Sequence, residues 1–176
     1  MSVGGHSCCL EAIVPMGPAD QAPAERTKLV LVYTSAPLER DLDLIGDVRG
    51  FLYAASTAVD TDFAMRLCLV DEHGRSTNLV EGIVRARSRE SLEAPTLIEP
   101  GEVYEYRIDL GPIGVRVPAG HRLRIHVASS DFPQWDRNLN TGGPIGAEGP
   151  SAMRAATQVV LHNRRYPSRV TLPVLA

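Results

Sequence analysis

The sequence has no apolar run of the roughly 18 residues that a membrane-crossing helix needs. It has no basic stripe interleaved with aromatics, and its formal net charge is −3. Nothing in it therefore attracts a phosphate backbone, and neither nucleic acid nor membrane is expected as a partner. No C-x-x-C occurs, and no two histidines stand at H-x-x-x-H spacing, which removes the usual zinc frameworks. No metal or other cofactor is expected. The three cysteines are an odd count and make no disulfide framework. Cys68 reads as a small core hydrophobe. The adjacent Cys8 and Cys9 read as an inert pair in a flexible segment rather than a reactive one. The opening MSVGGHSCCLEAIVPMG lacks the basic start and continuous apolar stretch of a signal peptide, so cytoplasmic residence is the expectation. Amphipathic helical periods between the β-type segments are also missing, which excludes a parallel βαβ sheet.

What is present is an ordinary globular composition, 44% apolar and 22% charged over 176 residues, enough for one domain with a core. Residues 1–26 carry Pro15, Gly17, Pro18 and Pro23 and hold no period; they read as an extended lead-in to a domain spanning 27–176. From Thr27 the pattern alternates. Lys28 to Tyr33 is rich in β-formers. Asp47 to Thr57 sets Val48, Leu52 and Ala54 against Arg49, Phe51 and Tyr53. Asp62 to Asp71 sets Phe63, Met65 and Leu67 against Arg66 and Cys68. Asn78 to Arg89, Tyr104 to Leu110 and Arg122 to Ala128 alternate in the same way, and 155–163 and 168–175 close the series. Leu38 to Leu44 reads either as a helical turn or as an edge strand. Turns fall at Gly74, Pro100-Gly101 and Pro118-Ala119-Gly120. About nine short strands at this spacing suit an all-β sandwich or barrel.

Residues 129–154 break the rhythm. The segment is rich in Gly, Pro and Asn and exceeds the length at which loops in compact domains are usually functional or mobile. It carries Trp135, the only tryptophan, with Arg137, Asn138 and Asn140. Trp and Arg anchor interfaces, while Asn and Arg can equally tie a loop to itself. Asp60 and Asp62 flank Thr61 at a strand entrance. Two such carboxylates can hold a hard cation or work as an acid/base pair, but they more simply satisfy backbone donors at a turn. The remaining histidines stand alone. His126 alternates with apolar residues and is expected to face solvent or the second sheet.

Several stretches carry a resemblance, in order along the chain. They are Ala55-Ser56-Thr57-Ala58-Val59-Asp60-Thr61-Asp62-Phe63, Leu79-Val80-Glu81-Gly82-Ile83-Val84-Arg85-Ala86-Arg87, Pro118-Ala119-Gly120-His121-Arg122-Leu123-Arg124 and Ser129-Ser130-Asp131-Phe132-Pro133. Arg137-Asn138-Leu139-Asn140-Thr141-Gly142 and the closing Pro167 to Val174 complete them. Together they resemble the C-terminal domain of acyl-hydrolases of the cocaine-esterase and X-Pro dipeptidyl-peptidase (CocE/NonD) family. The resemblance implies a jelly-roll sandwich, galactose-binding-domain-like, that packs on an α/β-hydrolase domain holding a Ser-His-Asp triad. That nucleophile needs a G-x-S-x-G elbow; Gly5-His6-Ser7-Cys8-Cys9 is one glycine short, with no strand before it. The chain alone is therefore expected to be inactive. Asp60, Asp62, Trp135, Arg137, Asn138 and Asn140 are the candidate docking or ligand residues. The expected partner is the catalytic domain, with self-association as a further possibility. The alternative reading is an independent ligand- or carbohydrate-binding module, although nine aromatics leave few rings to stack on sugars.

Overall fold

The computed structural model describes residues 5 and 16–175. A single helical turn, α1 (Ala22–Glu25), precedes eight strands: β1 (Val30–Thr34), β2 (Leu42–Ser56), β3 (Asp62–Val70), β4 (Ser76–Arg85), β5 (Tyr104–Val117), β6 (Arg122–Ala128), β7 (Gln158–Leu161) and β8 (Arg169–Thr171). All pairings are antiparallel. One sheet has the order β1-β6-β3-β4; the other runs β5-β2-β7, with β8 also on β2. This is the expected all-β sandwich, with Cys8 and Cys9 outside the described residues.

Among the described residues there are eight strands rather than about nine, because the Leu38–Leu44 segment forms neither a helical turn nor a strand of its own. Leu42 and Leu44 begin β2, which runs unbroken for 15 residues. Its partner β5 is correspondingly longer than the alternation up to Leu110 suggested. Between Val48 and Arg49 the register shifts, so that Leu110 is an extra residue on β5. Gly111 follows at φ 93°, a left-handed conformation that admits the bulge. Pro112 is tolerated beyond it because β5 is an edge strand and needs no second ladder. β4 ends at Arg85, before the expected Arg89, because Ala86–Ser88 turns into a 3-10 helix whose first N–H donates to Thr61 O.

The alternating apolar faces meet between the sheets. Phe63, Met65, Leu67, Val80 and Val127 pack against Val48, Leu52, Tyr106, Ile108 and Leu110, all nearly inaccessible. Phe63 and Tyr106 stack with ring centroids 4.6 Å apart. The sheets approach so closely at Gly82 that a Cβ there would lie 2.0 Å from the Asp109 carbonyl oxygen.

The outer face of the first sheet is covered as well. Asp20 bridges Thr77, and Gln21 is wholly buried, with Nε2 3.1 Å from Asn78 Oδ1 and Oε1 accepting from Arg66 at 2.6 Å. His126 therefore faces neither solvent nor the second sheet; α1 lies over it, and Nε2 is 2.9 Å from Glu25 Oε1. Arg124 Nη1 contacts the other Glu25 oxygen at 2.6 Å. Cys68 is fully buried, but on this outer face rather than between the sheets. Its Sγ lies 3.8 Å from His126 Nδ1.

Two predictions follow from this packing. Burial pushes the His126 imidazole below its ordinary 6.5, partly offset by Glu25. For Glu25 burial works upward, but the bonds from Arg124 and His126 outweigh it and hold the carboxyl below 4.5. Both groups bind fewer protons folded than unfolded, so their stabilisation is complete above pH 6.5. It declines as the pH falls below His126's ordinary value, and again below that of Glu25. The urea midpoint should fall in those two windows, and Glu25→Gln should remove the lower one; a midpoint flat from pH 7 to 4 would contradict the arrangement. Secondly, the Tyr106 hydroxyl is buried with no hydrogen-bond partner among the described residues. Tyr106→Phe should be neutral or stabilising by up to about 1 kcal/mol in chemical denaturation, because it removes an unsatisfied donor and no contact.

Candidate functional site

The candidate residues divide into those that hold the 129–154 loop and those that it displays. Asp60 and Asp62, at the entrance to β3, face Arg87 and Arg85 at the end of β4, where the register places Asp62 opposite Arg85. The Asp62 carboxylate accepts two bonds from Arg85, at 2.9 and 3.1 Å. Asp60 accepts from the Arg87 guanidinium at 2.6 Å and from the Arg87 backbone N–H at 3.0 Å. Both carboxylates are almost completely buried, at 1% and 3% side-chain exposure. The Asp62 hydrogen bond raises the Arg85 pKa above its ordinary value.

Asn138 closes the cluster. Its single amide nitrogen donates to Asp60 Oδ2 at 3.0 Å and to Asp62 Oδ1 at 2.9 Å, which uses both hydrogens. Its Oδ1 accepts the Asn140 N–H at 2.9 Å. Asn140 adopts φ 61°, a left-handed conformation that Asn tolerates, and its side chain donates to the Arg154 carbonyl at 2.8 Å. The loop is tied at its start too, because Asp131 Oδ1 receives Arg66 Nη2 at 3.2 Å and Arg66 also holds Glu81.

Trp135 and Arg137 are not absorbed by this network. Trp135 is 49% exposed, and the Arg137 guanidinium lies 4.6 Å above the ring of Phe132, itself 44% exposed. Trp135 and Ile145 border a shallow groove of about 470 Å³ floored by Asp62, Ile83 and Arg85. A second groove of about 220 Å³ runs beside it past Asp60, Arg87 and Arg137. The structure thus brings Asp60, Asp62 and Asn138 into contact, uses Asn140 as a brace and turns Trp135 and Arg137 outward. Arg85 and Arg87 escaped selection in the sequence, yet a signal was there: Asp60-Thr61-Asp62 and Arg85-Ala86-Arg87 have matching spacing at the start of one strand and the end of the next, which an antiparallel pair brings side by side.

Cys68, His126 and Glu25 line up superficially like a nucleophile, base and acid. Burial pushes the Cys68 thiol up to about 12, and α1 covers the group, so no thiolate is presented. Among the described residues no group of three or more His, Cys, Asp or Glu side chains is placed to hold a metal, and no helix is long and apolar enough to cross a membrane.

Residues 10–171 match the X-Pro dipeptidyl-peptidase C-terminal non-catalytic domain. The chain belongs to this family. It is 44% identical over 160 residues to the cocaine esterase of Rhodococcus sp., covering 90% of this chain and 28% of the relative. The aminopeptidase of a marine-sediment Thaumarchaeota archaeon superposes with a TM-score of 0.85 at 30% identity, over 89% of this chain and 27% of that one. An α-amino acid ester hydrolase superposes at 0.84 and 29% identity, with the same coverage. The chain spans less than a third of the length of these relatives. It is a non-catalytic C-terminal domain of the CocE/NonD type, and the absence of a nucleophile elbow from its sequence agrees with that description.

The Asn138 clamp of this PepX-type domain yields a prediction. Asn138→Ala leaves each buried carboxylate one donor short and should cost about 1–3 kcal/mol in urea denaturation. Asn138→Asp should cost more at neutral pH, because it sets a third carboxylate against two, and the excess should shrink on acidification. Equal stability of both variants and the parent would remove the clamp.

Proposed function

We propose that the domain serves a serine hydrolase that cleaves ester or amide bonds through an acyl-serine intermediate, and that it docks on the catalytic part through the face of the 129–154 loop. The supporting observation is the division of labour within the loop. Six hydrogen bonds and ion pairs around Asp60, Asp62 and Asn138 point inward and fix its shape. Trp135, Phe132 and Ile145 stay exposed. A loop stabilised in this way presents a rigid aromatic and a cation at little cost in ordering entropy, which is what an interface anchor requires. The relatives named as esterases or hydrolases, each several times longer than this chain, supply the reaction class. The domain would stiffen the catalytic part and wall one side of its cleft. Cytoplasmic residence belongs to this reading, as does the absence of a nucleic-acid partner, which rests on the net charge of −3.

The test is a pull-down of the tagged chain from its native lysate, with mass spectrometry and an aryl-ester assay. The chain alone should show no turnover, and the captured complex should contain a polypeptide with a G-x-S-x-G elbow and be active. Trp135→Ala should weaken that association about tenfold or more. Turnover by the pure chain, abolished by a serine-directed inhibitor, would overturn the reading.

A further inference from the structure

The two sheets differ in width. The first has four strands, β1-β6-β3-β4. The second has only three positions, because β7 pairs with residues 53–56 of β2 and β8 with residues 49–51 of the same edge, end to end. β4 lies over β5, as the contact of Gly82 with Asp109 shows. β6 lies over the β7–β8 edge, since Ile125 and Val127 share a cavity with Val160 and Val170. Among the described residues β1, the next strand out, therefore has no strand opposite it.

The consequence is an uncovered apolar row. Leu31 pairs with Val127 and Tyr33 with Ile125, so these side chains point toward the side where the second sheet stops. Leu29, Leu31 and Tyr33 are 78%, 45% and 38% exposed. Beneath them lie cavities of about 250 and 310 Å³, which reach Leu52, Phe63 and Met65 of the core. Tyr33 reaches across the gap, set edge-on to His162 at 5.5 Å. Among the described residues no strand pairs with the far edge of β7.

We propose that an extended, apolar-alternating segment of the catalytic part adds to the free edge of β7 beneath β1 and makes the narrow sheet four strands wide. This rests on the docking reading above. Most of the relatives' length, over 70%, lies outside the region that this chain matches, so a donor segment has ample chain to come from. The chemistry of the gap favours an apolar strand, since Leu52, Met65, Ile125, Val127, Val160 and Val170 make up most of its lining, alongside His162, Ser168 and Arg169, and β1 carries no charge. A second copy is a poorer occupant. β7 is only four residues long, and so short an edge gives little main-chain pairing to hold two free molecules together. A segment already tethered by docking at the 129–154 face needs no such strength, because its effective concentration is high.

The experiment places a photo-cross-linking residue at Leu31 in one variant and at Trp135 in another, in the native lysate, with cross-linked peptides identified by mass spectrometry. Both should capture the same hydrolase polypeptide, Leu31 through an extended apolar segment. Amides of 158–161 should exchange with deuterium at least tenfold more slowly in the captured complex than in the isolated chain. Capture from Trp135 without capture from Leu31, or unchanged exchange at 158–161, overturns the added strand and leaves docking intact. Cross-linking of Leu31 to another copy of the chain overturns the proposed occupant. No capture from either position removes both readings.

Discussion

β3 is buried on both faces, and the rest of the molecule is arranged around that constraint. Its inward residues Phe63, Met65 and Leu67 need only apolar neighbours, which the second sheet provides. Its outward residues include Asp62 and Arg66, which are almost inaccessible. An ion withdrawn from water is tolerable only if its hydrogen-bonding capacity is filled. Arg66 takes Glu81 from β4, Gln21 from the N-terminal segment and Asp131 from the long loop. Asp62 takes Arg85 from β4 and Asn138 from the far side of that loop. Two charges on one strand thus dictate where three distant segments must sit. The net stabilisation from such pairs is small, but removing one partner is expensive, about 3–5 kcal/mol, and that asymmetry enforces a single arrangement.

Most of the strands were legible because one face of each is wet or polar, and period two survives in the sequence. Arg122, Arg124 and His126 against Leu123, Ile125 and Val127 give β6 directly. The misreadings fall where a third layer or an edge intervenes. His126 was expected to face solvent or the second sheet because its strand alternates so regularly. That α1 would cover the outer face depended on Gln21 and Glu25, polar residues in a segment without period. The start of β2 was obscured because Leu38 to Leu44 fits two periods equally well. Only the bulge at Leu110, which lets β5 run on past Pro112, determines that the segment is strand.

The candidate loop was found by its irregularity, and irregularity says nothing of direction. Asn138 and Asn140 on one hand, and Trp135 and Arg137 on the other, look alike in the sequence as polar or interface-prone residues in one segment. The distinction is geometric. Asn138 lies within 3.0 Å of two carboxylates from another strand, whereas Trp135 borders a groove open to solvent. Long-range partners of this kind carry no local signature unless both sides are read together, as with the paired spacing of Asp60, Asp62 and Arg85, Arg87.

The loop face and the β1–β7 gap lie toward opposite edges of the first sheet, the loop against β3 and β4 and the gap beyond β6. The physical kinds of contact also differ. The loop offers a preorganised aromatic and a cation on a rigid, charge-clamped frame. The gap offers mostly apolar walls and a backbone edge that no described residue pairs with, attractive to an extended chain but unselective among such chains. Specificity in a combined association would come from the first and burial from the second. On the proposed reading, a domain docked on its catalytic part can leave its sandwich one strand short, because docking at the loop would hold the closing segment at high effective concentration.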